Sequence, residues 1–245
     1  MGSLPMISFL IWNSRGLGSL VKLDFIFSEL CRCEATLVAV LEHKQQYANI
    51  NNFTTKLGIC NCMHREPKNH HIWIFWNSIT VEKVAVFDQH LSIKVSLSSR
   101  FFISFVYVKC SVGERELLWQ ELDNIDMGDM SWLIGGDFNV IMDTSKKKGG
   151  GIYLWKDKQY FVSFTARNGL PDMGYTGDNF TWCNNQKRDH RRWCRLGRCL
   201  GNSQAIASFP NAKVEHLVRA LSGHFPLCIS LADNSSRNNH FFYSG

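Results

Sequence analysis

The stretch Trp132–Asn139, WLIGGDFN, decides how the rest of the chain is read. A short apolar run ends in two glycines, and a carboxylate and a carboxamide follow at alternate positions. Alternate side chains of an extended chain point the same way, so Asp137 and Asn139 are expected to project together beyond the end of a buried strand. An ionised Asp137 accepts hydrogen bonds and can hold a water or a metal-bound water. The neutral Asn139 amide donates to an anion without repelling it. The pair suits phosphoryl chemistry, although GDFN by itself also marks ordinary strand-end turns.

Outward from this segment the chain alternates apolar runs with amphipathic ones. MISFLIWN reads as a strand ending at Asn13, and Leu20, Leu23, Phe27 and Leu30 give a helix from Ser19 to Cys31. Thr36 to Leu41 is apolar on both faces, which suits a strand covered by helices on one side and a second sheet on the other, with Glu42 at its open end. Residues 45–70 show no clear period. His71 to Trp76, Thr80 to Phe87, His90 to Leu97 and Phe101 to Val108 read as successive strands, with Ser98 to Arg100 as a turn and Tyr107 near the end of the last. Helices are expected over Glu114 to Leu122 and Trp155 to Asn168, the second stopped by Gly169, with a KKKGGG loop at Lys146 to Gly151 between them. Short strands follow at Phe180 to Cys183, Trp193 to Cys199, Lys213 to Leu217 and Leu227 to Leu231, with His224 just before the last. The polar tail from Asn234 is expected to fray.

Composition sets bounds. With 245 residues, 45% of them hydrophobic, the chain can bury one substantial core, and one domain is the default. A net charge of +6, from 27 basic and 21 acidic residues, permits a polyanionic partner without demanding one. The nine cysteines are odd in number and scattered, which favours reduced thiols. Cys60, Cys62, His64, His70 and His71 lie close together, but the C-x-C spacing departs from that of structural zinc sites. The opening MGSLPMISFLIW lacks a basic region and a long enough apolar run for a secretory leader, and no apolar run reaches the ~20 residues of a membrane helix. An intracellular protein without a membrane partner is expected.

Several motifs then occur in a fixed order. They are NSRGLG with Asn13, LEHK with Glu42, FVYVKC with Tyr107, GDFN, NGLPDMGYTGDNFTWCNN, RRWCRLGRCL, and LSGHFP with His224. This succession resembles the endonuclease/exonuclease/phosphatase superfamily, and most closely the endonuclease domain of plant LINE-type (non-LTR) retrotransposons. The resemblance runs from about Met6 to Leu231. It implies a DNase I-like four-layer α/β sandwich, two packed mixed β-sheets flanked by helices, over residues 6–231, with 232–245 as a C-terminal tail. It also implies an Mg2+-dependent DNA endonuclease. Glu42 would hold the cation with Asn13 adjacent, Asp137 would orient the attacking water, and Tyr107 and Asn139 would donate to the phosphate. His224 would contact the phosphate while a carboxylate holds its other nitrogen.

Two departures bear on activity. The family's RLDR reads RLGR here, with Gly197 in place of the aspartate that holds the histidine, and its SDH reads SGH, with Gly223 in place of an aspartate at the metal site. Glycine neither accepts a hydrogen bond through a side chain nor binds a cation. Impaired catalysis is therefore expected, with Mg2+ weakly bound or lost. A non-catalytic nucleic-acid-binding module and a decayed retroelement fragment are the alternatives. Asp189 and Asp233 are the nearest carboxylates that could substitute. The run KRDHRRWCRLGR, Lys187 to Arg198, carries six Lys or Arg around Trp193. Arg188, Arg191, Arg192 and Arg195 could take phosphates of DNA or RNA and Trp193 could stack on a base, while a solvated basic face or a nuclear import signal accounts equally well for the run. A monomer is expected.

Overall fold

The computed structural model describes residues 6–46, 49–64, 71–96, 99–151, 156 and 158–232. In chain order its elements are β1 (Met6–Asn13), α1 (Leu20–Arg32), β2 (Leu37–Leu41), α2 (Ile50–Leu57), β3 (Asn61–Met63), β4 (Ile72–Trp76), β5 (Thr80–Val86), β6 (His90–Ser96), β7 (Arg100–Tyr107) and α3 (Val112–Asp123). They continue with β8 (Ser131–Asp137), β9 (Lys147–Lys148), α4 (Gln159–Arg167), β10 (Thr176–Gly177), β11 (Trp182–Cys183), β12 (Trp193–Cys194), β13 (Gly197–Gly201), α5 (Ser203–Ser208), β14 (Lys213–His216) and β15 (Leu227–Ala232).

Two large mixed sheets pack face to face. One has the order β10-β14-β15-β1-β2-β4-β3 and the other β13-β8-β7-β6-β5, while β11, β12 and β9 form a small third sheet. Strand alternation builds the layers. Phe9 and Ile11 of β1, and Leu37, Ala39 and Leu41 of β2, face a core shared with Ile93, Ile103, Phe105 and Leu133 of the other sheet. Leu10, Trp12, Val38 and Val40 turn instead to Leu23, Ile26 and Leu30 of α1 and Phe53 of α2. On the far side, Leu118, Trp119 and Leu122 of α3 and Phe161 and Phe164 of α4 cover Phe102, Val106, Trp132 and Ile134. Each such side chain removed from water contributes about 1.5–3 kcal/mol, so the strands that are apolar on both faces are also the most strongly held.

The two glycines of WLIGGDFN permit a close approach. A Cβ at Gly135 would lie 2.7 Å from Ile11 Cδ1 of the opposite sheet, and one at Gly136, whose φ is 152°, would lie 2.1 Å from the Val106 carbonyl oxygen. A larger residue at Gly135 would push β8 away from β1, and one at Gly136 would clash with the backbone of β7 beside it. The end of β8 therefore comes down onto the end of β1.

Elsewhere the expected elements shift or split. The expected strand from Trp193 to Cys199 is two strands of different sheets, and the expected loop at Lys146 to Gly151 begins as an edge strand pairing Lys147 and Lys148 with Cys194 and Trp193. Helix α2 lies in the stretch without apparent period. Its three buried residues, Ile50, Phe53 and Leu57, are diluted by Asn and Thr, and Gly58 ends it at φ 65°. Helix α5 starts from Asn202, whose side chain accepts from the Ala205 N–H. The expectations that involve His70, Leu97, Ser98, Trp155, Asp233 and the tail from Asn234 lie outside the described residues.

Candidate active site

Strand register brings the residues together. Tyr107, Asp137 and Gly197 lie in one row across β7, β8 and β13, and Asn13 pairs with Leu41 across β1 and β2, so that Glu42 follows at the same end. Glu42 (φ 50°) and Asn139 (φ 48°) leave their strands in the left-handed region, which costs a non-glycine residue on the order of 1 kcal/mol and is characteristic of functional sites. The loop that carries His224 is pinned to β1. Ser222 Oγ donates to the Asn13 carbonyl at 2.9 Å, and Trp12 Nε1 donates to the His224 carbonyl at 3.2 Å.

Asp137 is the hub. Its Oδ2 accepts from Asn13 Nδ2 at 2.8 Å and lies 3.2 Å from His224 Nδ1, and its Oδ1 accepts from the Asn139 backbone N–H at 3.1 Å. Only 3% of Asp137 is exposed, so the carboxylate is buried among these partners. His224 was expected to lack a carboxylate partner, but Asp137 supplies one from the neighbouring strand. Asp189, one of the substitutes considered, is exposed on the short turn Arg188–His190. Burial pulls the His224 pKa below its ordinary value, against the opposing pull of Asp137, whose Oδ2 stands 3.2 Å from the ring Nδ1.

The other expected phosphate donors are partly committed. Asn139 Nδ2 donates to the Val108 carbonyl at 2.5 Å, which spends one of its two N–H groups on the fold. Tyr107 lies against the His71 ring, with centroids 5.1 Å apart, and burial together with the Glu42 and Asp137 charges raises its pKa, so it remains a phenol and a donor. Gly197 borders a small cavity of about 10 Å³, roughly one water in volume, lined by Asn13, Asp137, Thr181 and His224 among others.

A divalent cation requires several hard oxygen ligands, some of them charged. Asn13 meets this poorly, because Oδ1 accepts from the Arg15 N–H at 3.1 Å and Nδ2 is bound to Asp137. Glu42 has cations of the chain itself beside it, with Lys44 Nζ 2.9 Å from Oε1 and Arg15 Nε 4.0 Å from Oε2. A Cβ on Gly223 would lie 3.5 Å from Arg15 Nη1, so the guanidinium stands beside this position. Burial pushes the Glu42 carboxyl up, but Lys44, an Asn13 hydrogen bond and Arg15 outweigh it and hold the pKa below the usual range. Among the described residues no three His, Cys, Asp or Glu side chains converge to hold a metal. The donor set does not fit a resident divalent cation.

No protein-family model matches the chain, and no curated protein matches it in sequence. Solved structures match along nearly its whole length. The endonuclease domain of TRAS1, a telomere-specific non-LTR retrotransposon, is 11% identical, with a TM-score of 0.64 over 94% of this chain and 100% of that one. A 3′ phosphatase from Neisseria, bound to a product DNA hairpin, is 14% identical, with a TM-score of 0.68 over 92% and 99%. An AP endonuclease from Archaeoglobus fulgidus is 11% identical, with a TM-score of 0.69 over 91% and 98%. The fold is DNase I-like.

In this DNase I-like sandwich the basic run divides by burial. Arg188, Arg191 and Arg192 are exposed. Arg195 is not available to a nucleic acid as expected: it is 5% exposed, donates to Asp172 Oδ1 at 2.8 Å and stacks 4.2 Å above the Tyr175 ring. Trp193 is half-buried, with the Arg219 guanidinium 5.5 Å over its ring, so it is no open stacking platform. Four groups beside the site escaped sequence reasoning: Arg15, Lys44, Thr181 and Trp182. Thr181 Oγ1 accepts the N–H groups of Leu196 and Gly197 at 2.8 and 2.7 Å, and the Trp182 ring lies 6.3 Å from that of His224. Proximity of Arg15 to Asn13 and of Lys44 to Glu42 in sequence was the available signal for the first two.

Proposed function

We propose that this chain is a DNA-binding protein built on an endonuclease scaffold, with phosphodiester cleavage impaired. The observation that carries this reading is the commitment of Asp137 to Asn13, His224 and the Asn139 N–H, beside a Glu42 already neutralised by Lys44. Cleavage of a phosphodiester needs a positioned water and stabilised charge on the transferred group. Here the residues suited to both tasks are bonded to one another. The exposed Arg188, Arg191 and Arg192, with Lys187, supply a rim for phosphates. The order of motifs supports a retroelement origin of the plant LINE type, with DNA favoured over RNA as the partner, and the covered Trp193 gives no reason to prefer single strands.

A second reading is a slow but genuine phosphodiesterase, and it is favoured by one contact: His224 retains a carboxylate partner in Asp137. The two are separated by assaying nicking of supercoiled plasmid with Mg2+ alongside anisotropy of a labelled DNA duplex over a salt series. The first reading expects salt-sensitive binding and no nicking above that of Asp137→Ala. Nicking that Asp137→Ala abolishes would establish the second, and absence of binding at low salt would remove DNA from both.

A further inference from the structure

Three charged residues at the mouth share an unusual backbone. Arg15 (φ 47°), Glu42 (φ 50°) and Lys44 (φ 53°) all lie in the left-handed region, and they occupy two loops fastened side by side. The Ser14 N–H donates to the Leu41 carbonyl at 3.0 Å, the Gly16 N–H to that of Glu42 at 2.7 Å and the Leu17 N–H to that of His43 at 2.8 Å. Lys22 Nζ clamps the same turn from behind, donating to the Ser14 and Gly16 carbonyls at 2.6 Å each. Strain of this kind persists only where the surroundings impose it, and here it holds two cations on either side of one carboxylate.

We infer that Arg15 and Lys44 stand in for a divalent cation, so that the site binds a phosphate group without metal. Arg15, Lys44 and, behind the turn, Lys22 set three positive charges against the carboxylates of Glu42 and Asp137, leaving a net positive mouth. The Arg15 and Lys44 side chains are 49% and 61% exposed, so both keep donors for an incoming oxyanion. A guanidinium can engage two phosphate oxygens at once, and an ammonium serves as a point charge. The absence of a carboxylate at Gly223 fits the same inversion, since a negative charge there would sit against Arg15 and neutralise it. The inference rests on the DNA-binding reading for the phosphodiester as ligand.

The test uses the whole chain, with Mn2+ and inorganic phosphate as probes before DNA. Electron paramagnetic resonance of Mn2+ is expected to show the ion free in the presence of millimolar protein. Inorganic phosphate in excess EDTA is expected to shift the amide resonances of Arg15, Gly16 and Lys44. Arg15→Gln with Lys44→Gln should weaken that binding about tenfold or more, and Lys44→Arg should retain it. Labelled DNA should bind equally well, within about twofold, in EDTA and in Mg2+. Bound Mn2+, phosphate shifts that require Mg2+, or full phosphate affinity in the double variant would each overturn the inference. Failure of DNA to bind in either buffer would remove the DNA reading, while the phosphate and Mn2+ results would still decide this one. Both side chains are largely solvated, so an unchanged thermal midpoint in the double variant separates lost binding from lost folding.

Discussion

Asn13 and Asp137, 124 residues apart, are joined by a buried 2.8 Å hydrogen bond that ties the end of β1 in one sheet to the end of β8 in the other. It forms because Gly135 lets the two sheets close at that end. The same carboxylate receives His224, so one side chain organises both halves of the site.

Asp137→Ala should therefore be costly to stability as well as to function. It leaves Asn13 Nδ2 and the Asn139 N–H without their acceptor and strips His224 of its neighbouring charge, at an expected loss on the order of 3 kcal/mol. Urea unfolding measures it. A loss within about 0.5 kcal/mol, the range of ordinary surface changes, would show that the network carries no load.

Gly197 and Gly223 should respond differently to substitution by aspartate. At Gly197 a Cβ would meet Leu227 Cδ1 at 3.3 Å and Thr181 Oγ1 at 3.4 Å, contacts that side chains can relax, beside the small cavity. Gly197→Asp should fold and raise the His224 pKa, because a second carboxylate then faces the ring. At Gly223 the Cβ would lie 2.8 Å from the Cys183 carbonyl oxygen, a backbone atom, so Gly223→Asp should cost about 1–3 kcal/mol. Imidazole titration by NMR and urea midpoints test the pair. An unmoved His224 in Gly197→Asp would mean that the added acid points elsewhere.

Acid should destabilise the fold in two stages. His90 and His216 are pulled down to about 4 by burial, and His224 is lowered for the same reason. The folded values lie below the ordinary 6.5, so the unfolded chain takes up protons first as the pH drops. Their contribution is complete above about pH 6.5 and is lost as the pH falls toward about 4, on the order of 3 kcal/mol each for His90 and His216. Glu42, whose carboxyl lies below its usual 4.5, adds a further loss at lower pH. Urea midpoints should hold from pH 8 to about 6.5 and fall from there to pH 4, and a profile flat throughout would contradict the burial of these rings.

Arginines in one short run should separate into two classes. Arg195→Ala should destabilise the protein by about 3 kcal/mol or more, because Asp172 loses its partner and the Tyr175 stack is broken. Arg191→Gln and Arg192→Gln should leave stability within about 0.5 kcal/mol while weakening DNA binding and lowering its salt slope by about one each. Anisotropy over a salt series reads the difference. Equal effects of all three on affinity at unchanged stability would return Arg195 to the interface.

Most of the large elements were legible because periodicity survives in one dimension. Thr36 to Leu41 reads as a strand covered on both faces from its composition alone, and the strand Leu37–Leu41 is so covered, with Leu37, Ala39 and Leu41 facing the other sheet and Val38 and Val40 facing helices. Helix α2 was hidden because only three apolar residues mark it, and the break between β12 and β13 was hidden because strand propensity continues through Arg195 and Leu196. Burial of Arg195 left no trace in the sequence, since its acid partner lies 23 residues away.

Residue types and their order determined the DNase I-like layers, the set of polar groups at one end of them, and the bare backbone at Gly197 and Gly223. Only the tertiary structure decided what those groups do to one another. Strand pairing and sheet packing set distances between residues far apart in the chain, and those distances place Asp137 against His224 and Glu42 against Lys44.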